Sequence, residues 1–196
     1  MKIGTQNQAF FPENILEKLR YIKEMGFDGF EIDGKLLVNN IEEVKAAIKE
    51  TGLPVTTACG GYDGWIGDFI EERRLNGLKQ IERILEALAE VGGKGIVVPA
   101  AWGMFTFRLP PMTSPRSLDG DRKMVSDSLR VLEQVAARTG TVVYLEPLNR
   151  HSLFAGRSPC TADLGWAGFC LPECADDFSG AGAARVFHLL RGCFPT

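Results

Sequence analysis

Between Lys2 and Glu146 the chain repeats one pattern: a short apolar run, an amphipathic stretch of helical period, then a glycine. The runs at residues 2–6, 27–32, 54–59, 95–100 and 141–146 are short and mostly rich in Val, Ile, Thr and Phe, as strands are. Between them four sets of apolar residues recur at three- and four-residue spacing, so that each lines one face of a helix. The sets are Ile15, Leu19 and Ile22; Ile41, Val44 and Ile48; Leu78, Ile81, Leu85 and Leu88; and Val125, Leu129, Leu132 and Ala136. Pro12 is expected to open the first helix, and Asn40 with Glu43 to form a capping box on the second. Gly26, Gly52, Gly92 and Gly140 follow the helical stretches and are predicted to end them.

Five strands alternating with four helices imply a parallel sheet with helical crossovers. The near-continuous apolar runs fit strands covered on the outside. An open doubly wound sheet and a barrel both satisfy this pattern. No G-x-G-x-x-G follows the first strand, which removes the main support for the nucleotide-binding version of the open sheet. Polar and aromatic residues gather where strands end: Gln6-Asn7-Gln8, Glu31 with Asp33, Cys59, Trp102 and Glu146. A barrel keeps its chemistry at that end. The fold class expected is α/β, a (β/α)8 TIM barrel that is incomplete here, with residues 1–150 forming the partial barrel.

Charge and punctuation exclude several functions. A net charge of −3 and a pI near 5.5 argue against a nucleic-acid partner, which would favour a basic patch. Met1–Thr5 has no apolar leader, and the most apolar stretch, Gly95–Phe107, is interrupted by Pro99. A cytoplasmic protein without a membrane partner is expected. The five cysteines contain no C-x-x-C pair. The character of the chain changes at His151. Four of the five cysteines lie beyond it, while the last of the nine lysines is Lys123. Residues 151–196 are read as a non-homologous, poorly ordered tail, the product of a reading-frame shift or fusion, with a natural extension as the alternative. Closing a barrel takes eight strands. The chain as written is therefore expected to be inactive, and weakly folded or self-associating.

Tyr144-Leu145-Glu146-Pro147-Leu148-Asn149-Arg150 resembles the fifth-strand motif of the xylose-isomerase-like sugar isomerases and epimerases. Phe27–Glu31 resembles their second strand and Thr56–Gly60 their third. Order and spacing together carry the resemblance, which covers residues 1–150 and points toward the bacterial ketohexose and keto-glycoside epimerases. It implies a metal-dependent epimerase or isomerase that removes a proton next to the carbonyl of a keto-sugar. Such a reaction needs a polarised carbonyl oxygen and a carboxylate base against the C–H bond. The resemblance makes Glu146 a metal ligand and one of two acid/base glutamates. The implied ion is divalent, Mn2+ first, with Mg2+ or Co2+ as alternatives. An aspartate, a histidine and a second glutamate on later strands would complete the shell. Asp176, Asp177 and His188 stand in surroundings that do not read as strands, and those roles are not given to them.

Gln6, Glu31, Cys59, Trp102, Asn149 and Arg150 are the expected substrate-binding residues. Each has a plainer reading: Glu31 as part of a network at the barrel mouth, Cys59 as a small buried hydrophobe, Trp102 as a cap on an outer helix, Asn149 and Arg150 as caps of the next helix, and Glu146 itself as a salt-bridge partner. An endonuclease-IV-like enzyme would share the barrel, but two histidines and an acidic balance do not suit a multi-zinc, DNA-binding site. A non-catalytic truncated product or binding fragment is the remaining alternative. A homo-oligomeric parent enzyme is compatible with the resemblance.

Overall fold

The computed structural model describes residues 2–99 and 115–146, so Trp102, Asn149, Arg150 and the stretch 151–196 lie outside the described residues. The elements in chain order are β1 (Gly4–Gln6), α1 (Ile15–Glu24), β2 (Gly29–Asp33), α2 (Gly34–Asn39), α3 (Ile41–Thr51), β3 (Val55–Cys59), α4 (Glu71–Val91), β4 (Gly95–Pro99), α5 (Leu118–Thr139) and β5 (Val142–Glu146).

The five strands form one sheet in the order β1-β2-β3-β4-β5, and every neighbouring pair is parallel. This order decides between the two architectures. A doubly wound sheet reverses direction at a switch point. Here each crossover moves to the next position in the same direction, as in the wall of a barrel. The structure is the first part of a TIM barrel.

Alternation along the strands divides the sheet into two faces. Phe30, Ile32, Val55, Ala58, Ile96, Val98 and Val143 are buried against the helices. The helices answer with Leu19 and Ile22 of α1, Val44 of α3, Ile81, Leu85 and Leu88 of α4, and Leu132 of α5, all fully buried. The periodicity in the sequence is therefore the core itself.

The helix boundaries differ from expectation in three places. The first helix starts at Ile15, beyond Pro12, because Asn14 caps it and accepts a hydrogen bond from Glu17 N at 3.1 Å. A short helix, α2, occupies a stretch to which the sequence pattern assigns no element. Asp33 caps it by accepting from Leu36 N at 2.9 Å. Asn40 does not make the expected capping box. Only this residue separates α2 from α3, and its side-chain amide turns back to donate to Leu36 O at 2.9 Å. A carbonyl at the end of α2 thus takes the side chain that α3 was expected to use. Gly52, Gly92 and Gly140 are left-handed C-caps, as expected.

The tightest backbone approach in the sheet is at Gly95, which pairs with Val142. A Cβ there would lie 1.9 Å from Val142 O and 3.1 Å from Tyr144 Cε2. Backbone cannot yield as a flexible side chain does. Gly95→Ala should destabilise the fold by about 1–3 kcal/mol, the range of overpacked cores, measured by urea denaturation. Unchanged stability would show that β4 and β5 are farther apart than described.

Candidate active site at the strand ends

Register places the site residues in levels. Gln6 pairs with Glu31, Glu31 with Thr57, and Thr57 with Gly95. One level further along, Cys59 pairs with Val97 and Val97 with Tyr144, and above them Pro99 pairs with Glu146. Paired residues in parallel strands share a face, and so do residues two apart on one strand. Glu31, Thr57, Cys59, Tyr144 and Glu146 therefore rise on the face opposite the helices, the inner face of the barrel wall.

Glu31 reaches this level through a register irregularity. Phe30 pairs with Val55, but Glu31 pairs with Thr57, so β3 carries one extra residue at this point. Without it Glu31 would pair with Thr56. With it, Thr57 Oγ1 donates to Glu31 Oε2 at 2.6 Å, and Gln6 Nε2 donates to Glu31 Oε1 at 2.7 Å. The structure brings Gln6 and Glu31 into direct contact, and both carboxylate oxygens are engaged.

Glu146 differs from Glu31. Among the described residues it has no hydrogen bond or ion pair. Its pKa is raised, first by burial and then by the negative charge of Glu31. Cys59 is a free, half-buried thiol pushed up to about 11 by burial and by the charges of Glu31, Glu146 and Asp33. At neutral pH it is a thiol and suits a pocket wall, not a nucleophile. Tyr62, on the loop after β3, has its hydroxyl ionisation pushed upward by burial, then by Cys59 and Glu146.

The loop between β3 and α4 is held at its far end by α5 and the residues before it. Ser128 Oγ donates to Ile66 O at 2.6 Å and accepts from Arg74 Nη1 at 2.9 Å. Arg116 donates to Asp68 O at 3.2 Å and to Gly67 O, and its Nε donates to Asp121 Oδ1 at 3.0 Å. Its guanidinium carbon also lies 4.7 Å from the centre of the Phe69 ring. Three successive loop carbonyls are thereby fixed.

Sequence reasoning missed Thr57, Tyr62 and Lys18. Thr57 reads as an ordinary β-branched strand residue, and its face depends on the bulge. Tyr62 lies in a glycine-rich loop, where Gly60-Gly61 before an aromatic residue is a usable signal of a tight approach. Lys18 is buried on α1 and donates to Asn7 Oδ1 at 3.0 Å. Burial lowers its pKa, opposed by the charges of Asp33 and Glu13.

Glu146 suits a hard divalent cation as one oxygen ligand. Among the described residues no group of three His, Cys, Asp or Glu side chains is placed to hold a metal, so these residues account for only part of such a shell.

A family model described as xylose isomerase-like TIM barrel matches residues 19–167, and the chain belongs to that family. Over 151 residues it is 99% identical to the 3-dehydro-D-guloside 4-epimerase of Escherichia coli K12, covering 77% of this chain and 58% of that protein. The chain thus spans less than two thirds of that relative's length. The crystal structure of 3-keto-D-glucoside 4-epimerase from E. coli, in its apo form, is 99% identical, with a TM-score of 0.74 over 76% of this chain and 57% of that one. D-psicose 3-epimerase from Clostridium cellulolyticum H10, solved with D-tagatose, is 21% identical, with a TM-score of 0.60 over 78% of this chain and 54% of its own, and shares the fold.

The environment of Glu146 has a pH signature. A carboxyl with a raised pKa keeps its proton in the folded chain where the unfolded chain has lost it. Its contribution to stability is present below the ordinary value of 4.5 and is lost as pH rises through the raised one. In chelator, Glu146→Gln should melt at a higher temperature than the parent chain at pH 7, and the difference should shrink toward pH 4. Melting curves across that range check this, and a constant difference would mean Glu146 is not desolvated.

Proposed function

We propose that this chain carries part of the active centre of a keto-sugar epimerase that removes a proton next to the carbonyl and returns it on the opposite face. The observation that supports this best is Glu146: a half-buried carboxylate, without a partner among the described residues, at the C-terminal end of β5 in a family barrel. Burial and the charge of Glu31 raise its pKa, the direction that favours a carboxylate acting as a base. We assign it the roles of base and metal ligand. A divalent ion bound there, Mn2+ in this proposal, would polarise the keto oxygen and lower the cost of enolisation.

The other residues prepare the place. Gln6 and Glu31, locked together with Thr57, form a polar floor for sugar hydroxyls. Cys59 supplies a neutral wall. Trp102, Asn149 and Arg150 are proposed to complete the substrate contacts. The names of the E. coli relatives suggest a 3-keto-D-glucoside as substrate and C4 as the inverted carbon. Residues 1–150 are proposed as the barrel segment, with 151–196 a separate segment after it. No helix among the described residues is long and apolar enough to cross a membrane, and a cytoplasmic location is proposed. Self-association of the whole enzyme is part of the same reading.

A second reading is a non-catalytic fragment. The partial metal shell among the described residues favours it. One experiment separates the two. The chain is loaded with Mn2+ and incubated in D2O with methyl 3-keto-D-glucoside. Deuterium should appear at C4 of recovered substrate and product, and Glu146→Gln should slow this by about 10²–10⁴-fold, the usual range for a general base. Bound metal without wash-in overturns the enolisation mechanism. Absence of both metal and wash-in establishes the non-catalytic fragment.

A further inference from the structure

Tyr62 stands three residues beyond the end of β3, behind two glycines in left-handed conformation, Gly60 (φ 69°) and Gly61 (φ 80°). A Cβ on Gly61 would lie 2.2 Å from Lys35 N and 2.6 Å from Gly34 N. The loop backbone is therefore pressed onto the start of α2, and only glycine permits the approach. This contact fixes the direction in which Tyr62 leaves the sheet. The far end of the loop is fixed by Ser128 and Arg116 through the carbonyls of Ile66, Gly67 and Asp68. Tyr62 is thus held from both sides.

Its ring packs against the hydrophobic core, but its hydroxyl is buried without a hydrogen-bond partner among the described residues. A buried hydroxyl normally has a partner, because burial takes away the bond it made with water. The charged or polar neighbours whose fields reach it are the Cys59 thiol and the Glu146 carboxylate, the two groups assigned above to the pocket wall and the base. A phenol is protonated at neutral pH, and burial moves its ionisation further away, so it remains a donor.

We propose that Tyr62 is a substrate-binding residue whose O–H donates a hydrogen bond to an oxygen of the keto-sugar held beside Cys59 and Glu146. This rests on the epimerase reading and extends it to a residue on the β3–α4 loop. A polyhydroxylated ligand supplies the acceptor that the chain itself does not provide. The rigid loop supplies the donor already oriented, so little ordering is needed on binding.

Tyr62→Phe keeps the ring and removes only the oxygen. Without sugar its melting temperature should be no lower than that of the parent chain, because no protein hydrogen bond is lost. Its Mn2+ content should be unchanged. Isothermal titration with methyl 3-keto-D-glucoside should show a dissociation constant raised about tenfold, the loss expected for one hydrogen bond to a neutral donor. A dissociation constant equal to the parent's overturns the proposal. So does a lowered melting temperature, which would show the hydroxyl already satisfied by the protein or a resident water. If the parent chain itself binds no keto-glucoside, the epimerase reading falls and this one falls with it. Binding by the parent that Tyr62→Phe matches overturns the Tyr62 role alone.

Discussion

Both oxygens of Glu31 are committed across strand boundaries, one to Gln6 on β1 and one to Thr57 on β3. Three strands are tied together on the face that carries no helices. Parallel pairing leaves neighbouring strands free to slip wherever a face lacks a strong apolar pattern. The helix-facing side of this sheet has such a pattern in Phe30, Ile32, Ala58 and Ile96, whereas the inner side is polar at the level of Gln6, Glu31 and Thr57. There the carboxylate performs the registering work that packing performs on the other face. The bulge between β2 and β3 makes Thr57, and not Thr56, the partner of Glu31. Cys59 keeps its place on the inner face for the same reason.

Everything above that level inherits its position from it. Cys59 stands one level higher than Thr57, and Glu146 is carried to the top of β5 by the pairing of β4 with both neighbours. The two glutamates illustrate how environment divides identical side chains. Both oxygens of Glu31 accept hydrogen bonds, one from Gln6 and one from Thr57. Glu146 sits desolvated, facing the charge of Glu31, and its proton is held more tightly. A carboxylate that is fully satisfied locks structure, and one left unsatisfied keeps its chemistry available.

The loop over this region is equally divided. Its first half is pressed against α2 through Gly61, and its second half is gripped by Arg116 and Ser128 from the α5 side. Neither anchor lies on the inner face. Helices that pack on the outside of the barrel wall therefore determine the geometry of a segment on the inside, which is how a barrel holds variable loops on a constant scaffold.

The alternation of apolar runs with helical periods was enough to read five strands, the four longer helices, their glycine stops and the buried face of each. Those features depend on residues close together in the chain. The placement of Gln6, Glu31, Cys59 and Glu146 at strand ends was legible as well, and polar groups there are costly unless something uses them. Family resemblance supplied the roles proposed for them. Thr57, Tyr62 and Lys18 were not legible. Thr57 gains its meaning from a one-residue register shift, Tyr62 from a backbone contact between its loop and the start of α2, and Lys18 from the end of a strand eleven residues earlier. The same holds for α2 and for Asn40, where two helix ends competed for one side chain. By itself the sequence determined the elements and their inward faces, because period and punctuation are local. Only the tertiary structure decided strand order, register and which polar groups meet, because those depend on where distant segments come to rest against each other.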